Sequence, residues 1–228
     1  MLDGHWKTDI ERALRPVGDN LHRAGLTADR LTLMGLVMAV AGAVAIGSGA
    51  LSAGLVLLVL TGVPDALDGA VAKASGTSGP RGAFFDSVAD RVSDALLLGG
   101  VSWYLTSRDG GHAGMLPLAV LAASMLISYQ RAKAEGLGFD ARGGLMERAE
   151  RTAALGVGLL FDSLLVPVLW LMLALTLVTA VQRFVKVWRQ ASVPVPEPVL
   201  QWWRGRRVAR STTRALRRGR QSRARRRP

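Results

Sequence analysis

No cysteine occurs among the 228 residues, which excludes both a disulfide framework and a thiolate metal site and leaves the redox compartment unmarked. A cleavable leader is not expected either. Residues 1–30, MLDGHWKTDIERALRPVGDNLHRAGLTADR, mix acids with bases and contain no apolar h-region. Acid is missing from the other end: Gln201 to Pro228 holds twelve arginines and not one carboxylate side chain. Subtracting those 12 from the net charge of +12 leaves the rest of the chain formally neutral, so the high pI belongs to the tail. No folded nucleic-acid module stands behind it, and no nucleic-acid partner is expected. The tail, residues 191–228, reads instead as a disordered cytoplasmic extension. It is drawn to anionic headgroups by about 1 kcal/mol per basic residue near the surface, with Trp202 and Trp203 suited to the interface.

What is present is apolar length. Half of the residues are hydrophobic although 20% are charged, and the mean hydropathy of +0.25 requires the two classes to be segregated along the chain. Leu31 to Ala72 is almost wholly apolar and long enough for two spans of about 20 residues, with GSGALSAG (47–54) as their turn. Further runs cover Ala95–Thr106, Met115–Tyr129 and Thr152–Val181. The first becomes a full helix if Ala83 to Asp94 forms its polar beginning. The last reads as two helices interrupted at FDSLLVP (161–167). The expected fold is an all-α integral membrane protein with six transmembrane helices in residues 31–190. In the preceding segment Trp6, Ile10, Leu14, Val17 and Leu21 recur at helical spacing. That pattern fits an amphipathic interfacial helix, bent or broken at Pro16, or equally an ordinary surface helix.

Basic residues fall in residues 1–30, 73–81 and 131–151, while the turns near 50 and 163 carry none and the one near 110 carries only Arg108. By the positive-inside rule both termini and the 73–81 loop face the cytoplasm, in a multi-pass protein of the inner (plasma) membrane.

Against this background, DALDGAVAKASGTSGPRGAFFDSVAD (65–90) is costly. A charge near the bilayer centre costs about 2.5–3.5 kcal/mol even on lenient scales, so intramembrane carboxylates are functional candidates. Asp65 and Asp68 are three apart and share one helix face; Asp86 and Asp90 are four apart and share another. Converging carboxylates repel unless cations lie between them, and an all-oxygen set suits Mg²⁺ or Mn²⁺. Gly69 and Gly82 allow close approach of backbone or ligand, and Lys73 and Arg81 bring phosphate-binding charge. Phosphoryl transfer on a lipid substrate would require such a site, with one carboxylate taking the proton of an attacking hydroxyl.

The register Asp65, Asp68, Gly69, Ala72, Lys73, Gly82, Asp86, Asp90 resembles the signature of the CDP-alcohol phosphotransferase family. Seven of eight positions agree; Lys73 stands where the family usually has Arg. The resemblance implies two divalent ions, Mg²⁺ or Mn²⁺, held by Asp65, Asp68, Asp86 and Asp90, with Asp90 also the catalytic base. It implies further that Gly69, Lys73 and Gly82 hold the cytidine diphosphate of CDP-diacylglycerol. GLTADR (25–30) resembles the family's element before the first span, so Thr27 joins that set, with Ala28 replacing the usual proline. Asp94, one turn deeper, reads as a structural partner of a nearby base.

The SYxxAxAE segment (128–135), ERxER (147–151) and Gln182-Arg183 resemble those of the family's actinobacterial phosphatidylinositol-phosphate synthases. This implies that Arg131, Lys133, Arg148, Arg151 and Arg183 bind the phosphate of inositol 3-phosphate, with Arg131 and Lys133 exchanged in type relative to that pattern. It also implies a homodimer among membrane lipids. From charge alone these residues read equally as positive-inside anchors. Two alternatives stay open: the same reaction with glycerol 3-phosphate, serine or another small alcohol, and a non-catalytic membrane protein that binds metal structurally.

Overall fold

Six α-helices make up the regular structure in a computed structural model that describes residue 20, residues 27–74 and residues 79–192. Within the second helix the side chains at 65, 66, 68–70 and 72–74 lie outside the described set. The expected interfacial segment before Thr27, Asn20 apart, and the tail from 193 onward also lie outside it. The chain divides into two compact units, Met1–Val185 and Lys186–Pro228.

Helix α1 (Ala28–Gly47) starts at Thr27, whose Oγ1 accepts from the Arg30 amide at 3.4 Å, relieving one of the unpaired amides at a helix start. It ends in a short turn where Gly49 takes φ +88°, a left-handed conformation that favours glycine. Helix α2 (Leu51–Ala74) carries Pro64 inside it, immediately before the first motif carboxylate. Helix α3 (Pro80–Asp109) opens with proline in its first turn, after Gly79, where the missing amide is least costly. Its polar first half and apolar second half form one continuous 30-residue helix, as the sequence led us to expect.

Helix α4 (Met115–Leu137) stops at Gly138, which adopts φ +86° and caps Ala134 and Glu135. Helices α5 (Arg148–Leu160) and α6 (Asp162–Ser192) are separated by Phe161 alone, whose φ of −122° and ψ of 93° leave the helical region. The break therefore falls at the start of the expected 161–167 interruption, and Pro167 lies within α6.

Six helices do not by themselves make six spans. Among the described residues three are long and apolar enough to cross a membrane, α1, α4 and α6; Leu51–Pro64 of α2 is a shorter apolar stretch. Helix α3 is diluted by its charged first half. The 13 residues of α5 rise about 20 Å, less than the hydrocarbon thickness of about 30 Å.

Helix α1 packs on α2 and α3, α4 packs on α3, and α5 packs on α2. The shared core draws Ala39, Leu58, Leu98, Val120, Leu155 and Leu169 from all six helices. The α1–α3 crossing is close because Gly100 has no side chain: a Cβ there would stand 2.5 Å from the Ala43 carbonyl oxygen. That crossing brings the start of α1 beside the polar half of α3. Asp29 and Arg81 pair there at 3.1 Å.

Candidate functional site

Helix α3 presents Asp86, Asp90 and Asp94 at four-residue intervals, hence along one face. Asp86 and Asp90 border a narrow cleft together with Thr32, Thr61, Pro64, Ser93 and Arg148. Thr32 and Thr61 turn their hydroxyls onto the carbonyls of Ala28 and Leu57, at 3.0 and 2.8 Å. Pro64, which precedes Asp65 in the chain, is part of this cleft. The side chains of Asp65, Asp68 and Lys73, and Gly69 with them, fall outside the described set, although their backbone is helical. Among the described residues no three His, Asp, Glu or Cys side chains gather as a metal-binding group. The donor chemistry fits the expected ions: every proposed ligand is a carboxylate, and hard oxygen donors suit Mg²⁺ or Mn²⁺.

Gly82 lies in the first turn of α3, and a Cβ there would meet nothing within 4 Å. Packing among the described residues does not demand glycine at this position. Thr27, expected to touch nucleotide, serves as the N-cap of α1.

Beyond Asp90 a second cavity opens, about 200 Å³ in volume, walled by α3, α4, α5 and α6. Arg131, Arg148, Arg151 and Arg183 all line it, as do Asp90 and Asp94. Four of the five residues expected to bind an acceptor's phosphate therefore share one space with the expected base. Lys133 is not among its lining residues and lies exposed. Two residues along an α-helix turn through about 200°, so Lys133 and Arg131 project from nearly opposite faces of α4.

The arginines are held differently. Arg148 reaches Asp90 at 2.7 Å and Asp94 at 3.6 Å. Arg151, buried, donates to Asp94 at 3.1 Å and to the Met146 carbonyl at 3.3 Å. Asp94 is thus the structural partner of nearby bases that its position implied. Arg183, also buried, donates to Ile127 O at 2.9 Å, Gly143 O at 3.1 Å and the Glu147 carboxylate at 2.9 Å. Arg131 pairs along its own helix with Glu135 at 3.0 Å.

Glu147, the first residue of ERxER, has a role that the spacing of the segment does not reveal. Its carboxylate accepts from Arg183 and from the Gly143 amide at 3.2 Å, tying the α4–α5 connector to α6. Thr179 of α6 accepts from the Met146 amide at 3.1 Å and completes the attachment. The glycines of that connector were the available signal: Gly143 and Gly144 take φ of +90° and +145°.

Residues 25–188 match the model of the CDP-alcohol phosphatidyltransferase family. An archaetidylinositol phosphate synthase from Methanothermobacter thermautotrophicus is 36% identical over 189 residues, covering 79% of this chain and 91% of the relative. A phosphatidylinositol phosphate synthase from Corynebacterium glutamicum is 36% identical over 194 residues, covering 81% and 88%. Among solved structures, Mycobacterium tuberculosis phosphatidylinositol phosphate synthase with CDP-DAG bound superposes with a TM-score of 0.72 at 33% identity, covering 78% of this chain and 94% of that one. The same enzyme in complex with manganese and citrate gives 0.69 at 32% identity, covering 77% and 88%.

Proposed function

The chain belongs to the CDP-alcohol phosphatidyltransferase family, and from that premise we propose that it transfers the phosphatidyl group of CDP-diacylglycerol to inositol 3-phosphate, releasing CMP and forming phosphatidylinositol phosphate. The observation that carries the choice of acceptor is the cavity beside Asp90, whose wall holds five arginines, Arg91 besides the four expected ones, against four carboxylates. An uncharged alcohol offers those guanidinium groups only neutral hydroxyl acceptors, whereas a phosphate monoester matches their charge and their fork geometry.

Asp90 takes the proton of the acceptor hydroxyl, whose oxygen forms the new bond to the lipid-linked phosphorus as the bond to CMP breaks. Its place between the cleft and the cavity supports that role, because it lines both. Asp65, Asp68, Asp86 and Asp90 would hold two divalent ions, Mg²⁺ or Mn²⁺, whose charge would offset that of the pyrophosphate and of the leaving group. Thr27, Gly69, Lys73 and Gly82 orient the nucleotide. Arg131, Arg148 and Arg151 meet the acceptor's phosphate, Arg183 fixes the connector above it, and Lys133 adds charge at the approach.

The protein works as a six-span homodimer in the inner membrane, with both termini and the site on the cytoplasmic side. The polar half of α3 lies at that surface, so its carboxylates avoid the bilayer centre.

Purified protein supplied with CDP-diacylglycerol and Mg²⁺ or Mn²⁺ tests this against inositol 3-phosphate, free inositol and glycerol 3-phosphate in parallel. CMP release with inositol 3-phosphate alone is expected. Release with free inositol or glycerol 3-phosphate instead discards the acceptor. No release with any of the three, from folded protein, favours the non-catalytic alternative.

A further inference from the structure

We infer that Asp94 is a positioning residue that sets the register between the catalytic helix and the acceptor cavity, by holding Arg151 and Arg148 at fixed places in the cavity wall. The inference rests on the acceptor proposed above and adds a residue outside the family signature.

Asp94 lies one helical turn beyond Asp90 on the same face of α3, its side chain only 16% exposed. Its two oxygens point to different guanidinium groups: Oδ2 accepts from Arg151 at 3.1 Å, and Oδ1 stands 3.6 Å from Nε of Arg148. Both arginines come from the first turn of α5, three residues apart, so one carboxylate ties that turn to α3. Arg148 also spans to Asp90 at 2.7 Å, which makes Asp90, Arg148, Asp94 and Arg151 a row of alternating charge along the cavity.

Several guanidinium groups around a cavity of about 200 Å³ repel one another, and a buried arginine needs a counter-charge to remain where it is. Asp94 supplies that counter-charge from the same rigid helix that carries Asp90. The distance from the acceptor's phosphate to the base is thereby fixed by two residues of one helix rather than by a loop. A general anion-binding cavity has no need of such registration, but a phosphate ester whose reacting hydroxyl lies at a set distance from its phosphate does.

Asp94→Asn and Asp94→Glu, assayed for CMP release with varied inositol 3-phosphate and varied CDP-diacylglycerol, test the assignment. In Asp94→Asn the KM for inositol 3-phosphate is expected to rise at least about 10-fold, more than kcat falls, because a buried charge pair loses one partner. The KM for CDP-diacylglycerol stays at the wild-type value. Asp94→Glu keeps the charge but shifts it by one methylene, and its acceptor KM is expected to rise about threefold. Should Asp94→Asn fail to fold, Asp94→Glu carries the test alone. An acceptor KM equal to wild type in the folded variants overturns the inference, and so does a parallel rise in the KM for CDP-diacylglycerol. Wild-type protein in the same assay separates the two proposals: no turnover with inositol 3-phosphate overturns the acceptor and this inference together, whereas an active wild type with an unmoved variant KM removes only the role of Asp94.

Discussion

Replacing Arg183 with alanine removes three hydrogen bonds at once, to Ile127 O, Gly143 O and Glu147, between 2.9 and 3.1 Å. Each is donated by a charged group from a residue with 4% of its surface exposed. Hydrogen bonds of this kind contribute about 1.5–3 kcal/mol each, but they share one side chain and do not add fully. About 3–5 kcal/mol is therefore expected for the three together. For a protein of this size each kcal/mol shifts Tm by about 2–4 °C, so Arg183→Ala is expected to unfold roughly 10 °C lower. Arg183→Lys retains a point charge without the planar fork and recovers only one of the three bonds. Thermal unfolding of the detergent-solubilised protein, followed by tryptophan fluorescence, is the assay. An Arg183→Ala protein melting within about 2 °C of wild type refutes the idea that Arg183 attaches the α4–α5 connector to α4 and α6.

The other predictions concern the reaction and the helix crossing. Asp90→Asn is expected to lower kcat by about 10³-fold or more in folded protein, since a positioned base contributes about 10²–10⁴. Full activity in Asp90→Asn removes Asp90 as the base. Lys73→Arg, which restores the bidentate fork, is expected to lower the KM for CDP-diacylglycerol by about 3- to 10-fold; a higher KM means that position 73 does not meet phosphate. Gly100→Ala places a Cβ 2.5 Å from the Ala43 carbonyl oxygen and is expected to cost about 1–3 kcal/mol. Its neighbour Gly99 has nothing within 4 Å of an added Cβ, so Gly99→Ala is expected to be neutral or stabilising by up to about 1 kcal/mol through helix propensity. Equal melting temperatures for the two variants contradict the close crossing.

Helix positions and the carboxylate row were legible in the sequence because both depend on spacing along one element. The four-residue interval from Asp86 to Asp94 already implied a shared face, and the structure puts Asp86 and Asp90 on one cleft and Asp90 and Asp94 on one cavity. The two-residue interval between Arg131 and Lys133 carried information too: helical rotation sends them apart, which a count of basic residues conceals. The ion-pair network was not legible. Asp94 and Arg151 are 57 positions apart, and Glu147 and Arg183 are 36 apart, so their pairing depends on how α5 and α6 dock. The break at Phe161 was legible as an interruption within 161–167, but not its exact place. Neither Gly nor Pro marks it, and Pro167, the obvious breaker, is accommodated within α6.

The proposed reaction is tested most directly by the identity of its lipid product. Mass spectrometry of the lipid formed from CDP-diacylglycerol and inositol 3-phosphate should find a phosphatidyl group joined to an inositol phosphate, in amounts equal to the CMP released. Phosphatidic acid in place of that lipid would show that water, not the inositol hydroxyl, attacks the phosphorus, and would contradict the assignment of the arginine-lined cavity to the acceptor.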